Sequence, residues 1–293
     1  MRFAIVLLAS ACSRTPPTTD PDDSGASDTD TPDTDTDPTF SGPSFAVTVI
    51  GFNVESGGAD AGITADDLVA PIVGESIWGF AEVLNDAAAR QLVDAAADPG
   101  SDQVFDYVFG TTGYEDHLVL AWDDTRFALE QSVELDEINV SGSVRSPLVG
   151  YLRDRETGIP FTVVVNHLFR SDEDARHEQA RLLNDWGATE PGAVVMIGDY
   201  NFDWEVETGE HDQGYDELVA GGVFEWIQPS TMLKSQCSSF YDSVLDFVFV
   251  GGDAQGWPAD AEILYPEEGY CHGHIDTWPD HRPMAATFTA IGR

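Results

Sequence analysis

The sequence predicts a four-layer α/β sandwich, in which two mostly antiparallel sheets pack face to face and helices cover their outer faces. Short runs of β-branched and apolar residues bounded by turn residues recur from residue 45 onward, and such runs are typical of strands. These predicted strands greatly outnumber the predicted helices. Turn residues join several neighbouring strands, which favours antiparallel pairing with the helices outside the sheets.

The first predicted strand is an alternating run at residues 45–53, which ends on the polar Asn53. Similar runs predict strands at residues 76–83, 103–109, 117–122, 127–134, 148–153, 161–167, 193–199, 223–228, 245–250, 261–265 and 284–290. Hairpin signals lie at Asp123-Asp124 and at residues 156–158, Glu-Thr-Gly. We therefore expect the strands on either side of these turns to pair with each other.

Two segments have the composition and periodicity of helices. Residues 85–97 are rich in Ala, and residues 171–186 place one largely apolar set on a single face: Ala175, Gln179, Leu182, Leu183 and Trp186. Ser171 is expected to cap this second helix, with Asp174 in its first turn. Weaker patterns predict helices near residues 65–73 and 215–220.

Residues 1–12 have the layout of a secretory signal, with Met1-Arg2, a short apolar run and small residues before Cys12. Their end resembles a bacterial lipobox, although Leu is more usual where Ala9 stands. We expect an exported protein that is lipid-anchored to a bacterial membrane through Cys12; ordinary secretion, a periplasmic location and a misassigned start are the alternatives. Residues 13–43 are almost wholly Asp, Thr, Ser, Pro and Gly, which predicts a disordered tether before a folded domain at residues 44–293.

The three cysteines fit export. If Cys12 carries a lipid, Cys237 and Cys271 remain as an even pair in an oxidising compartment. We therefore predict a disulfide between Cys237 and Cys271.

The chain is strongly acidic, with 53 Asp and Glu against 13 Lys and Arg and a formal net charge of −40. A field of this sign repels nucleic acid and other polyanions unless cations or a local arginine cluster screen it. Composition therefore argues against tight non-specific binding of DNA and fits a salty habitat or a small substrate better.

Several apolar strands end or begin at polar residues of the kinds that hydrolyse phosphate esters. They are Asn53, Glu82, His167, Asp199 with Asn201, Asp246, and Asp280 with His281. Strand ends that converge on one rim of a fold are a common place for an active site.

These residues lie in six segments that resemble, in order, the signature segments of the endonuclease/exonuclease/phosphatase superfamily. The segments are residues 51–54 (Gly-Phe-Asn-Val), 78–83 (Trp-Gly-Phe-Ala-Glu-Val), 166–168 (Asn-His-Leu), 198–201 (Gly-Asp-Tyr-Asn), 245–249 (Leu-Asp-Phe-Val-Phe) and 279–283 (Pro-Asp-His-Arg-Pro). The resemblance covers residues 45–290. It implies that the predicted sandwich is a DNase-like fold and that residues 44–293 are a catalytic domain.

The resemblance implies a divalent metal site and a general base. Glu82 resembles the main metal ligand of the family, with Asn53 as a support of metal and phosphate and Asp280 as a second-site ligand. Oxygen ligands of this kind suit Mg²⁺ or Mn²⁺, with Ca²⁺ as an alternative. Asp199 resembles the base that takes the proton of the attacking water, and Asn201 the donor to the nucleophile or the phosphoryl oxygens.

The resemblance also implies groups that stabilise charge on the phosphate. His281 would be held by the buried Asp246, which fixes its tautomer and favours the imidazolium. His167 would donate to the phosphate as charge develops, and Arg145 would lie near the site.

Three residues depart from the family pattern. Ala81 stands where many members have Gln, Phe247 where many have His, and Arg170 where extracellular nuclease-like members often have Lys. The first two departures remove polar groups and so bear on substrate contacts. Glu82 and Asp246 are intact, so the implied catalytic set is complete.

The implied reaction is metal-assisted in-line attack of water on a phosphate ester. The Asn-His-Leu segment followed by an Arg- and Gln-rich helix looks like the extracellular nuclease-like branch, which favours a phosphodiesterase acting on nucleic acid. The alternatives are a phosphomonoesterase or lipid-headgroup phosphodiesterase of the same superfamily and, from another class, a catalytically inactive surface binding protein. We expect a monomer that contacts a membrane only through its lipid anchor.

Overall fold

The computed structural model describes residues 42–55, 58–273 and 277–292, so Cys12, the predicted signal and nearly all of the predicted tether lie outside the described residues. Its strands are β1 (Ser44–Asn53), β2 (Ile77–Val83), β3 (Phe105–Phe109), β4 (His117–Asp123), β5 (Phe127–Glu134), β6 (Leu148–Asp154), β7 (Pro160–His167), β8 (Ala193–Glu205), β9 (Phe224–Trp226), β10 (Ser243–Gly252), β11 (Ala259–Ile263) and β12 (Met284–Ile291). Every predicted strand is present, and β8 continues beyond its predicted end at Asp199.

The strands form two six-stranded sheets of matching layout. One has the order β11-β12-β1-β2-β4-β3 and the other β5-β6-β7-β8-β10-β9. In each sheet one central pair is parallel, β1 with β2 and β7 with β8, and all other neighbours are antiparallel. The predicted architecture of two mostly antiparallel sheets is therefore confirmed.

Helices cover the outer faces of the sheets. They are α1 (Ala61–Thr64), which continues into a π-helical turn at Ala65–Val69, α2 (Asp86–Ala96), α3 (Glu173–Gly187), α4 (Gln213–Val219) and α5 (Tyr270–Gly273). Leu92 of α2 packs in one apolar cluster with Trp78 and Phe80 of β2, whereas Leu183 of α3 and Leu218 of α4 belong to the other cluster. No helix in the described part of the chain is long and apolar enough to cross a membrane.

The two sheets meet in a core of fully buried aliphatic and aromatic side chains. Ile77 and Leu120 of the first sheet share this core with Val163 and Ile197 of the second, and burial of each such side chain contributes about 1.5–3 kcal/mol. The sheets approach closely at Gly79, where a Cβ would lie 2.7 Å from Ile197 Cδ1. The absence of a side chain at Gly79 thus allows the central strands to pack against each other.

Two local predictions are wrong. Asp123-Asp124 does not close a hairpin, because β4 pairs with β2 and β3 in the first sheet whereas β5 pairs with β6 in the second. This turn instead carries the chain from one sheet to the other, which a local turn signal cannot distinguish from a hairpin. Asp172, not Ser171, caps α3 by accepting a hydrogen bond of 3.1 Å from Ala175 N, since Asp172 directly precedes the first helical residue.

The hairpin at residues 156–158 is present and joins the antiparallel β6 and β7. Gly158 has a φ of +75° in this turn, and a Cβ there would meet nothing within 4 Å. Gly198 has a φ of +137° at the centre of β8, and a Cβ there would overlap the carbonyl oxygen of Asn166 on β7. Both positions favour glycine, but only Gly198 lacks space for a side chain.

Gly198→Ala is expected to lower the free energy of unfolding by about 3 kcal/mol, because backbone strain adds to overlap with a buried strand. Gly158→Ala is the matched control and should cost only about 1 kcal/mol, since it adds strain without overlap. Urea denaturation of both variants measures the difference. Equal losses would show that β7 and β8 are not as close as the structure has them.

Candidate active site

The topology brings the polar strand ends to one edge of the sandwich. Because β1 and β2 are parallel, as are β7 and β8, the strands of each pair end at the same edge. Strand β10 is antiparallel to β8 and begins there, with Asp246 opposite Asp199, and the segment before β12 arrives beside the end of β1. The edge thus collects Asn53, Glu82, His167, Asp199, Asp246 and His281.

Asn53 joins the two sheets at this edge. Its Nδ2 donates to Glu82 Oε1 at 2.9 Å and to Asp199 Oδ2 at 3.0 Å, and its Oδ1 accepts from Glu55 N at 3.0 Å. Asn53 is buried, so this hydrogen-bonding is not exchanged with water. The amide therefore fixes the position of one carboxylate from each sheet.

Irregularities in the strands aim the acids into the site. The pairing of β2 with β4 shifts register between Phe80 and Val83, around Glu82, and the pairing of β10 with β8 shifts just before Asp246. Glu82 also has a φ of +57° and Asn201 a φ of +53°. Bulges and left-handed backbone at non-glycine residues cluster at functional sites, because they redirect side chains at a cost in stability.

His281 and Asp246 form a buried pair. His281 Nδ1 lies 2.8 Å from Asp246 Oδ2, which also accepts from Ser235 Oγ at 2.7 Å. Burial alone would lower the pKa of His281, but the charges of Asp246, Asp199 and Asp280 outweigh it and raise that pKa to about 10. The imidazolium is therefore the stable form at neutral pH, with its Nε2 3.7 Å from Asp199 Oδ2.

His167 lies among three carboxylates. Its Nε2 is 3.6 Å from Asp199 Oδ2 and 3.7 Å from Glu82 Oε1, and its Nδ1 is 3.6 Å from Asp116 Oδ1. Asp116 Oδ2 in turn binds Arg145 Nη1 at 2.9 Å. Burial raises the pKa of Asp116, but His167 and Arg145 outweigh it and leave that pKa below its usual range. Asp116 thus connects Arg145 to His167.

Asp116 was not predicted from the sequence. It lies in the loop before β4, where an acid in so acidic a chain looks like an ordinary solvated residue. The signal that would have found it is topological: β4 runs antiparallel to β2, with His117 opposite Val83. The start of β4 therefore lies at the edge where β2 ends.

A small cavity of about 60 Å³ opens between these groups, lined by Glu55, Glu82, Arg170, Asp199, Asn201, Gln236, Leu245, Asp280 and His281. Glu55 was also missed by the sequence analysis; its Oε2 accepts from Asp280 N at 3.0 Å. Burial, the charge of Asp280 and that of Glu82 raise the pKa of Glu55. This concentration of carboxylates is electrostatically unfavourable without a cation.

The donor set fits a hard divalent cation. Glu55, Glu82 and Asp280 line the cavity, and carboxylate oxygens are preferred by Mg²⁺, Mn²⁺ and Ca²⁺. Within the described ranges, the groups whose ligand atoms lie within 4.8 Å of one another are two other trios. They are Glu82 with Asp116 and His167, and Asp199 with Asp246 and His281.

A disulfide holds the loop before β10 against the segment before β12. Cys237 and Cys271 are joined with their Cα atoms 5.1 Å apart, and Cys237 N donates to Asp280 O at 2.7 Å. Residue Gln236 also forms a β-bridge with His281. The segment that carries Ser235, the partner of Asp246, is therefore fixed beside His281.

No protein-family model matches the chain, and no curated protein matches it by sequence. Solved structures do match it. An endonuclease/exonuclease/phosphatase family protein from Bacteroides thetaiotaomicron is 19% identical with a TM-score of 0.60, over 85% of this chain and 96% of its own. The similarity therefore spans almost the whole folded domain.

Two further solved structures differ in what their names say they act on or bind. A Bacteroides thetaiotaomicron mannosyl-6-phosphatase is 19% identical with a TM-score of 0.57, over 82% of this chain and 98% of its own. TDP2 from D. rerio, complexed with a single-strand DNA product, is 14% identical with a TM-score of 0.62, over 84% of this chain and 99% of its own. The chain has the fold that these proteins share.

Proposed function

We propose that this chain is a member of the endonuclease/exonuclease/phosphatase superfamily and a metal-dependent hydrolase of phosphate esters. The observation that carries the proposal is the array of side chains at the edge of the sandwich where the polar strand ends meet. There Asn53 joins Glu82 to Asp199 by hydrogen bonds, and Asp246 holds His281 beside Asp199. All of its members also lie in the six segments that resemble the superfamily. The shared fold supports the same assignment.

Asp199 is the proposed general base. Its Oδ1 accepts from Asn201 N at 3.0 Å and its Oδ2 from Asn53, so the carboxylate is held in a fixed position from which it could take the proton of an attacking water. A divalent cation held by Glu82, Glu55 and Asp280 would polarise the phosphate oxygens. Asn53 would keep Glu82 in place for that role.

The two histidines both approach Asp199 Oδ2, at 3.6 and 3.7 Å, and would stabilise charge on the phosphate. Asp246 is hydrogen-bonded to His281 and favours its imidazolium form, and Asp116 Oδ1 faces His167 Nδ1 at 3.6 Å. Asn201 lies at the cavity with its Nδ2 3.3 Å from Leu168 O, within reach of a phosphoryl oxygen. Fixed donors at the site of developing charge are the largest source of rate enhancement in many hydrolases.

We propose a phosphodiester, with nucleic acid as the first candidate, as the substrate class. The nuclease-like segment at residues 166–168 and the DNA product bound to TDP2 support it. A phosphomonoester or a lipid headgroup is the second candidate, and one observation favours it: the net charge of −40 opposes approach of a polyanion.

Metal removal is expected to abolish hydrolysis. Plasmid DNA, RNA, inositol phosphates, sphingomyelin and a mannose phosphate are each assayed with EDTA and after addition of Mg²⁺, Mn²⁺ or Ca²⁺. Activity on at least one substrate should disappear in EDTA and return with a metal, because the carboxylates alone repel a phosphate. Activity that persists in EDTA contradicts the proposal. The absence of hydrolysis on every substrate supports the inactive binding protein instead.

Asp116→Asn is expected to lower kcat/KM by about 10- to 100-fold, as loss of a group that orients a site residue typically does. The variant removes the charge that faces His167 Nδ1 and pairs with Arg145. Glu115→Gln is the control, since Glu115 is the exposed neighbouring acid. Steady-state kinetics of both variants measure the effect. Equal kcat/KM values for the two variants would show that Asp116 does not contribute to activity.

A further inference from the structure

A second pocket adjoins the cavity of about 60 Å³ at the proposed active site, called the catalytic cavity below. It has a volume of about 370 Å³ and shares Glu55, Gln236 and Asp280 with the smaller cavity. Its size lies at the low end of pockets that bind small molecules. A group attached to a phosphate in the catalytic cavity would therefore extend into this neighbouring space.

One wall of this pocket is aromatic and tied to the catalytic edge. The ring of Trp278 lies 5.6 Å from that of Tyr270, and Trp278 Nε1 donates to Asp67 Oδ2 at 3.2 Å. Tyr270 stacks on Tyr265 at 5.8 Å and donates its hydroxyl hydrogen to the backbone oxygen of His281. The wall is thus preorganised, and the Cys237–Cys271 disulfide lines the pocket beside it.

Exposed aromatic side chains occur at the pocket and in the sequence next to site residues. Among the large hydrophobic side chains that the structure describes as exposed, three are aromatic: Tyr114, Phe240 and Tyr241. Phe240 is 89% exposed and lines the pocket, and Tyr241 follows it on the same loop. Tyr114 lies two residues before Asp116. Aromatic surface left in water at a cavity mouth is typical of a ligand-binding surface.

The charges of the pocket exclude an anionic occupant. None of its described lining residues is Lys or Arg, whereas Glu55 and Asp280 lie on the side that meets the catalytic cavity. A second phosphate group would find no basic side chain in this pocket, and Glu55 and Asp280 would already share the single cation proposed for the phosphate in the neighbouring cavity. Gln236, Ser238 and Ser239 supply uncharged polar groups at the same wall.

We infer that this pocket, defined by Phe240, Trp278, Tyr270 and the Cys237–Cys271 disulfide, binds a flat uncharged ring carried by the alcohol part of the phosphate-ester substrate. The inference rests on the proposed function for the position of the phosphate. A ring attached to the ester would stack on the aromatic wall, and Gln236 would face its edge. A nucleobase and a simple aryl group share this chemistry.

The test measures binding by calorimetry to the full chain carrying Asp199→Asn, with Mg²⁺ present, so that turnover does not interfere. Adenosine 5′-monophosphate carries adenine where ribose 5-phosphate has its anomeric hydroxyl, so the pair tests the contribution of the ring. The ring should increase affinity by about tenfold or more, and Phe240→Ala or Trp278→Ala should each reduce that advantage by about three- to tenfold. Phe240 is so exposed that its replacement leaves folding intact.

Val104→Ala is the matched control, because Val104 is 60% exposed and does not line the pocket. This variant should retain the full increase in affinity that the ring provides.

Phenyl phosphate distinguishes a nucleobase from a simple aryl group as the source of the ring. An affinity equal to that of the nucleotide shows a site for any flat ring. A weaker affinity shows that the edge of the base is also bound. Equal affinity for the nucleotide and ribose 5-phosphate overturns the inference, as does a ring advantage that neither aromatic variant reduces.

Hydrolysis tests the proposed function, whereas the ring-dependent difference in binding tests the inferred pocket. A ring advantage in a chain whose wild type hydrolyses nothing would contradict the proposed function and leave the pocket as a binding site. Hydrolysis without a ring advantage would leave the proposed function intact and reject the pocket.

Discussion

Asp199→Asn is expected to reduce kcat/KM for phosphate-ester hydrolysis by about a thousandfold, the range of a lost general base. The substitution keeps the shape of the side chain and removes its charge. It also leaves either Asn53 Nδ2 or Asn201 N facing an amide NH₂ in place of an oxygen. A buried donor without an acceptor costs about 1–3 kcal/mol, so stability should fall modestly as well.

The matched control is Asp203→Asn, which changes an exposed carboxylate on the same strand that accepts from Ser243 Oγ at 3.3 Å. It should retain nearly full activity, because it does not line the catalytic cavity. Kinetics and urea denaturation of the two variants separate the loss of chemistry from the loss of stability. Retention of a tenth or more of the activity by Asp199→Asn would remove Asp199 from the role of base.

Asp246→Asn is expected to cost about 3–5 kcal/mol of stability, because it leaves the buried imidazolium of His281 without its partner. Activity should fall with it, since His281 would lose the carboxylate that orients its ring and favours its protonated form. The double variant Asp246→Asn/His281→Asn should cost less than the sum of the two single variants, because the interaction is already lost in each. Additive losses would show that the two residues do not form a pair.

The stability of the folded chain is expected to fall as pH rises, because of His281. The pKa of His281 is raised from 6.5 to about 10 in the folded chain, so its contribution to stability is fully present below pH 6.5 and is lost as pH rises through about 10. Denaturation in EDTA should therefore show wild-type stability falling over that interval. Asp246→Asn should show a smaller fall, since the carboxylate that raises the pKa is gone; an equal fall would assign the pH dependence to other groups.

The sequence predicts the sandwich well because each strand can be recognised from its own run of apolar and β-branched residues. Apolar runs that end on Asn53, His167 and Asp199 carry both the secondary structure and the polar residue at its end. The resemblance of six segments, in order, to those of a known superfamily then indicates which of these strand ends belong to the site. The polar residue that each strand brings to the edge can therefore be identified before the pairing of the strands is known.

The parts that were missed depend on pairing between distant segments. The turn at Asp123-Asp124 looks like a hairpin until it is known that β4 and β5 lie in different sheets. Asp116 and Glu55 lie in loops, where one acid among 53 Asp and Glu carries little information. Only the register of β4 against β2, and the approach of Glu55 to Asp280, reveal that both lie beside the proposed catalytic groups.

Attack of water on phosphorus with Asp199 as base is tested most directly by hydrolysis of a phosphodiester in H₂¹⁸O. The reaction is run with the preferred metal, and both products are analysed by mass spectrometry. Attack of water on phosphorus, with Asp199 as base, predicts that wild type places one ¹⁸O in the phosphate-bearing product and none in the alcohol. Asp199→Asn should form that labelled product about a thousandfold more slowly. Label in the alcohol, or an unchanged rate of labelling in the variant, would contradict the mechanism.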